Sequence, residues 1–408
     1  MDIWYKRLFL FSLLMGFIHH FSISQSEIPD YTDPFFVEVE ALTGRVVSNY
    51  PTFPNTEPVK SVSLNLGVLH NNPDNDFSSY YNNPMTGVSL SYTNPGNHSV
   101  FGREYGLKSF FMVKPFKRLS NPFYLKFSLG LSYFTKFYDV SDNPENKAVG
   151  SSFTWGFQAF MYKSWDINDA IRINLGAGYL HDSNGHTQLP NAGLNKAMFS
   201  MSATSFFSRK RNFSDNKNVH RKNEKQNIYF FNVRNGWGIH ELGGTFGPVG
   251  GAQKGVYSLA LSGGIIFNNH IKVRSGLTYR FYEQYYDFIN THNLPEYSDS
   301  PIAKASNLNF FIGCEFLIGH FGIDVEGGLN LYKPFYKEFH KRFNHKGQLK
   351  YVLNKLFSSR LGLNYYLYNT HNRPKNNFFI GANINANFGQ ADFSEINIGY
   401  TRLLSTNY

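Results

Sequence analysis

The segment AIRINLGAGYLHDS, residues 170–183, alternates apolar and polar side chains along its length. The odd-numbered positions include Ile171, Ile173, Leu175, Ala177 and Tyr179, and the even-numbered ones include Arg172, Asn174, Gly176, Gly178 and Asp182. Successive side chains of a β-strand point to opposite faces, so this pattern predicts a strand with one apolar face. That face would form the core of a water-soluble sheet, but it would contact lipid in an outer-membrane barrel.

Similar segments recur from about Phe35 onward, separated by turns rich in Asn, Gly, Pro and Asp. Clear examples are SVSLNLGVL (61–69), FYLKFSLGLSYF (123–134), HIKVRSGLTYRFY (270–282) and FFIGANINANF (378–388). Tight turns, as at Asn268–Asn269 and Gly319–His320, alternate with long connections at 284–305 and 332–355. Outer-membrane barrels show this alternation of short and long connections. We therefore predict an all-β fold, a single transmembrane antiparallel β-barrel of about 12 to 16 strands.

The first residues are typical of a secretory signal peptide. Lys6 and Arg7 precede an apolar run at 8–18, and small residues at 22–24 suit cleavage before Gln25. The run is too short to cross a bilayer as a helix. The sequence thus predicts a signal peptide at 1–24, a single barrel domain at 25–408 and a location in the outer membrane.

Composition and charge restrict the partners. Aromatic residues make up 18% of the chain, and the single cysteine, Cys314, excludes a disulfide-stapled fold. The net charge of +10 would suit nucleic acid in a cytoplasmic protein, but export favours an anionic lipid instead. The one dense charge run, at 209–225, is interpreted as a connection between strands. We expect no cofactor and no metal ion, and the oligomeric state is left open.

Three polar side chains share the apolar face near the end of the 170–183 strand. His181 and Ser183 lie two residues apart and therefore on the same side of the strand. Asn195 has the matching parity on the next predicted strand, so a hairpin would bring it near them. Exposing such groups to lipid costs free energy unless they bond one another or reach the headgroups, and this favours a functional site.

HDSNG (181–185) followed by PNAGLN (190–195) resembles the signature of outer-membrane lipid A 3-O-deacylases of the PagL type. The resemblance covers about 30 residues around the hairpin, besides the general barrel pattern. It implies that His181 is the general base, that Ser183 is the nucleophile and that Asn184 contributes to the oxyanion hole. It also implies that the substrate is lipid A of lipopolysaccharide, from which an ester-linked acyl chain is removed.

The chain departs from the family at one position. In the compact members a glutamate on the neighbouring strand orients the histidine, whereas Asn195 matches that position here. An asparagine can hold an imidazole in one tautomer but cannot stabilise the imidazolium by charge, and the analogous Asp-to-Asn change in a serine protease costs about 10⁴ in rate. Asp182 lies on the opposite face, and Glu241, expected two strands away, is a weak candidate for a substitute carboxylate.

Two other functions fit the sequence. A structural or transport barrel would carry its function in the lumen, and residues 181–195 would then be an ordinary turn rich in Asn, Gly and Pro. An outer-membrane phospholipase would share the serine chemistry but cleave a different lipid. The parity of the three polar residues and the family motif favour the lipid A esterase.

Overall fold

The computed structural model describes residues 33–72, 76–115, 122–207, 227–343 and 347–404. The predicted signal peptide at 1–24 and the charge run at 209–225 lie outside the described residues. No helix in the described part of the chain is both long and apolar enough to cross a bilayer.

Sixteen antiparallel strands make up most of the described structure. The first eight are β1 (Phe35–Val47), β2 (Val59–Leu69), β3 (Met85–Asn94), β4 (Glu104–Val113), β5 (Phe123–Phe134), β6 (Phe153–Asp166), β7 (Ile171–Ser183) and β8 (Leu194–Phe206). The next eight are β9 (Asn227–Glu241), β10 (Gln253–Phe267), β11 (Ile271–Tyr282), β12 (Ser306–Ile318), β13 (Phe321–Tyr332), β14 (Phe357–Tyr366), β15 (Asn376–Asn387) and β16 (Gln390–Leu403).

The strands close as two barrels of eight, β1–β8 and β9–β16. The first barrel closes where β1 pairs with β8, from Phe36 opposite Phe206 to Val47 opposite Asn195. The second closes where β16 pairs with β9. The prediction of a single barrel of 12 to 16 strands is therefore not confirmed, because sixteen strands are present but belong to two closed sheets.

Short helices occupy several connections. They are α1 (Asp76–Tyr80), α2 (Glu283–Thr291), α3 (Pro301–Lys304), α4 (Tyr336–Phe343), α5 (Gln348–Leu356) and a 3₁₀ turn (Thr370–Asn372). The tight turns expected at Asn268–Asn269 and Gly319–His320 are present, since β10 and β11, and likewise β12 and β13, are joined there. The two long connections expected at 284–305 and 332–355 contain α2 to α5.

Side chains alternate between the lumen and the outer surface as the sequence predicts. In β7, Arg172 and Asn174 are buried in the lumen, whereas Ile171 and Leu175 are exposed on the outside. In the first lumen the buried carboxylate of Glu40 accepts hydrogen bonds from Tyr162 Oη at 2.5 Å and Lys126 Nζ at 3.3 Å. The interior of an eight-stranded barrel is only wide enough for side chains to fill it.

Charged side chains also fill the second lumen. The guanidinium of Arg274 lies 3.1 Å from Glu315, 2.6 Å from Asp324 and 2.7 Å from Glu326. Arg360 lies 2.6 Å from the other oxygen of Asp324. All of these groups are buried, so the lumen contains a compensated charge network.

The two barrels contact each other at both ends. At the end where β7 finishes, Trp155 Nε1 donates to Ser394 Oγ at 2.9 Å, and Ser394 Oγ donates to the carbonyl oxygen of Asn184 at 3.1 Å. At the opposite end, Tyr81 Oη donates to the carbonyl oxygen of His270 at 3.0 Å. One wall of the first barrel is therefore covered by protein.

Candidate active site

His181 and Asn195 face each other across β7 and β8, where they are direct strand partners. Both side chains are partly exposed on the outer surface of the first barrel. His181 Nδ1 lies 2.6 Å from Asn195 Oδ1. An amide oxygen can only accept a hydrogen bond, so Nδ1 must donate and carry a proton. The neutral imidazole then has its free lone pair on Nε2, which is the tautomer that a general base needs.

The imidazole also rests against the backbone of the loop that leads into β8. Gly193 has φ of +77°, and a Cβ atom built there would lie 2.6 Å from Cε1 of His181 and 3.4 Å from Nε2. A larger residue would displace the ring and would be strained in this left-handed conformation. Gly193 and Asn195 together fix the position of the imidazole.

Ser183 lies two residues beyond His181, but its hydroxyl is bonded within the following loop. Its Oγ lies 3.1 Å from Asn191 Oδ1 and 2.9 Å from Asn191 Nδ2, and it accepts from the backbone N–H of Gly185 at 3.3 Å. Among the described residues no hydrogen bond joins Ser183 to His181. The structure thus brings His181 to Asn195 and Ser183 to Asn191, as two adjacent pairs.

Asn184 uses its side chain to shape the loop. Its Nδ2 donates to the carbonyl oxygen of Gln188 at 2.7 Å, and its Oδ1 accepts from the backbone N–H of His186 at 3.0 Å. Its backbone N–H points to Asn191 Oδ1 at 3.2 Å. The contribution of Asn184 to an oxyanion hole stays a prediction.

The two carboxylates considered from the sequence have other partners. Asp182 is buried in the lumen and lies 2.8 Å from Lys196 Nζ, on the face opposite His181. Glu241 is not two strands along in the same sheet, because it ends β9 of the second barrel. Its Oε2 accepts from the backbone N–H of Leu189 at 2.6 Å, and its Oε1 accepts from that of Gly251 at 2.7 Å. Glu241 therefore anchors the loop.

Two residues of this arrangement were missed by the sequence analysis. Asn191 was noted only as part of a turn and of the family motif, yet it is the hydrogen-bond partner of Ser183. Its own backbone N–H donates to the carbonyl oxygen of Thr245 at 2.8 Å, a contact with the second barrel's β9–β10 connection. Ser394 contacts the loop from β16. No sequence pattern indicates these contacts, since they depend on how the two barrels meet.

The residues at this end of β7 are of the types found in acyl hydrolases. A hydroxyl, an imidazole in a fixed tautomer and nearby N–H donors are the groups that nucleophilic ester cleavage requires. Within the described residues, no group of three or more His, Cys, Asp or Glu side chains is placed to hold a metal ion. The fold is that of an outer-membrane-type β-barrel, with His181 and Asn195 on its outer surface and Ser183 buried beneath the following loop.

Residues 64–204 match the family model described as Lipid A 3-O-deacylase (PagL). The match runs from β2 to β8, so most of the first barrel is similar to this family. The match and the apolar outer face of the barrel point to the outer membrane. No protein with a curated description matches the chain.

Solved structures give only weak similarities. Neisserial surface protein A is 14% identical over 42% of this chain and 96% of that chain, with a TM-score of 0.29. OprB of Pseudomonas putida is 9% identical over 91% of this chain and 94% of that chain, with a TM-score of 0.18. Similarities at this level support no inference about function.

Proposed function

We propose that the first barrel is an outer-membrane serine esterase that removes an ester-linked acyl chain from lipid A. His181 is the general base, Ser183 is the nucleophile and Asn195 positions His181. The observation that carries the proposal is the 2.6 Å contact between His181 Nδ1 and Asn195 Oδ1. It leaves Nε2 as the base, two residues from a serine in a barrel that matches the PagL family.

The reaction begins with a change of partner at Ser183. Rotation about the Cα–Cβ bond takes the hydroxyl from Asn191 toward His181, whose Nε2 accepts the proton as Oγ attacks the ester carbonyl. Catalytic hydrogen bonds are often long or absent in the free enzyme and form with bound substrate. Collapse of the tetrahedral intermediate returns the proton to the leaving sugar oxygen. Water, activated by the same imidazole, then cleaves the acyl-enzyme and releases a fatty acid.

Donors for the oxyanion lie close to Ser183. The backbone N–H of Gly185 and Nδ2 of Asn191 both point at Oγ, at 3.3 and 2.9 Å. When the hydroxyl turns toward His181, these two donors lose Oγ as their acceptor. They can then donate to the oxygen of the substrate's ester carbonyl, whose carbon Oγ attacks. Asn184 would act beside them through its backbone N–H.

The transport function is less well supported. Both lumens contain buried, hydrogen-bonded charged groups such as Glu40 in the first barrel and Arg274 in the second. Opening a path for a solute would break these pairs and leave buried charges without partners, which is costly. The family match also favours lipid A deacylation over transport.

The test is mass spectrometry of lipid A from Gram-negative cells that express the parent chain or its Ser183→Ala variant. We expect the parent alone to remove one ester-linked acyl chain. The matched control is Ser275→Ala, which changes an exposed serine on the outer face of β11, and it should behave as the parent. Unchanged lipid A with folded parent protein in the outer membrane would contradict the proposal, and fatty acid released from phospholipid alone would indicate a phospholipase.

A further inference from the structure

An apolar cleft of about 250 Å³ lies between the outer surfaces of the two barrels. The first barrel supplies one wall through residues of β3 to β6, including Leu129 and Phe157. The second barrel supplies the other wall through residues of β12 to β14, including Ile323 and Leu363. Eleven of its fifteen lining residues are aliphatic or aromatic, so the cleft is better suited to hydrocarbon than to water.

The cleft begins one strand away from His181. Val88, Ser109, Leu129 and Phe157 line it, and they are successive cross-strand partners along β3, β4, β5 and β6. The next partner in the same row is His181, which lies opposite Phe157. Neighbouring strands are about 5 Å apart, so the cleft and the imidazole are separated by a single strand spacing.

We propose that this cleft holds the acyl chain of the lipid that is hydrolysed at Ser183, with the second barrel as its outer wall. The inference rests on the proposed function. An ester bond at the level of His181 places its hydrocarbon tail at Phe157, the cleft-lining residue directly opposite the histidine. A tail lying there exchanges contact with mobile lipid for contact with two fixed protein walls, and the carbonyl is thereby positioned.

The second wall has a consequence for specificity. A lone barrel offers one surface to an acyl chain, and the chain's far end remains free in the bilayer. Here Ile323 and Leu363 limit the space on the far side. The cleft therefore discriminates between acyl chains by length and bulk, because each methylene that fits or clashes in an apolar site changes the rate.

The test uses tryptophan to fill the cleft from the second barrel. Ile323→Trp lies in the cleft wall, whereas Val325→Trp changes a side chain of the same face of β13 that is not part of the lining. Purified, folded full-length proteins in detergent are assayed with p-nitrophenyl butyrate and p-nitrophenyl laurate. We expect Ile323→Trp to lower the laurate-to-butyrate ratio of kcat/KM by roughly 10-fold or more, and Val325→Trp to keep the parent's ratio.

The laurate-to-butyrate ratio of kcat/KM distinguishes a change in acyl-chain binding from a change in the rate of ester cleavage. Leu363→Trp fills the cleft from β14 and should reproduce the effect, which guards against a folding defect at one site. If both cleft variants hydrolyse the esters with the parent's ratio, the cleft is not the acyl site, although the esterase stands. If the folded parent hydrolyses neither ester and leaves lipid A intact, the proposed function fails and this inference fails with it.

Discussion

His181 and Asn195 are direct partners across β7 and β8, and Nδ1 of the histidine lies 2.6 Å from Oδ1 of the asparagine. The contact joins two residues that are 14 positions apart in the chain but share the outer face of the first barrel. It orients the imidazole without placing a negative charge beside it. His181, the proposed base, therefore has a defined tautomer but lacks the carboxylate that would stabilise its protonated form.

Removing the asparagine should slow ester hydrolysis. Asn195→Ala deletes the acceptor for Nδ1, so both the ring orientation and the tautomer become undefined, and we expect kcat to fall roughly 100-fold. Asn195→Asp keeps the acceptor and adds a charge that stabilises imidazolium, so its kcat should equal or exceed that of the parent. The measurement is hydrolysis of p-nitrophenyl esters by purified protein.

The control for the two Asn195 variants is Asn235→Ala, which removes an exposed asparagine from the outer face of β9. It should retain the parent's kcat. A parental rate in Asn195→Ala would show that the contact with His181 has no part in the reaction.

Gly193 should be needed for the position of the imidazole. In Gly193→Ala the new methyl group would collide with Cε1 of His181, and we expect kcat to fall roughly 100-fold, as small misplacements of catalytic groups do. Gly389→Ala is the matched control, because Gly389 has φ of +79° and no atom lies within 4 Å of its built Cβ. Both variants carry the same backbone strain, so an equal loss in the two would rule out a specific effect on His181.

The local sequence pattern was enough to predict the strands and one contact of the candidate site, that between His181 and Asn195. Alternation fixed which residues of β7 face outward, and hairpin pairing of β7 with β8 brought Asn195 to His181. Alternation could not reveal that β1 pairs with β8, because closure is a non-local pairing and both barrels have the same strand pattern. The one indication was the charge run at 209–225, which lies between β8 and β9 in the sequence.

The other contacts of the candidate site are not encoded locally in the sequence. Ser183 is bonded to Asn191 because the loop 184–191 folds back over the end of β7. That loop is held by the second barrel through Glu241 and Thr245. These partners are more than fifty positions away, and neither has a motif of its own.

Glu241 should control the site through the loop. In Glu241→Ala the backbone N–H groups of Leu189 and Gly251 lose their acceptor, and an unpaired buried N–H costs about 1–3 kcal/mol. We expect the loop to loosen, kcat to fall roughly 10-fold and hydrogen exchange in residues 184–191 to rise. Glu283→Ala is the control, since Glu283 accepts in the same way from Gly255 N and Tyr257 Oη, away from the site loop. Unchanged exchange in Glu241→Ala would contradict this role.

The contacts between the two barrels around His270, at the end opposite the candidate site, should weaken in acid. His270, in the turn between β10 and β11, packs against Tyr80 and Tyr81 of the first barrel and against His371, with ring centroids 4.7, 5.6 and 5.2 Å away. Burial, aided by the nearby His371, lowers the pKa of His270 to about 4. Burial likewise lowers the pKa of His371.

Both imidazoles are therefore harder to protonate in the fold than in the unfolded chain, where a histidine titrates near pH 6.5. The contribution of His270 to stability is fully present above about pH 6.5 and is lost as the pH falls toward about 4. We expect the unfolding temperature of detergent-solubilised protein to drop between about pH 7.5 and pH 4.5, and the drop to be smaller in His270→Gln. His292→Gln, which changes an exposed loop histidine, should show the parent's full drop. An identical drop in the parent and in His270→Gln would mean that protonation of His270 does not cause the loss of stability in acid.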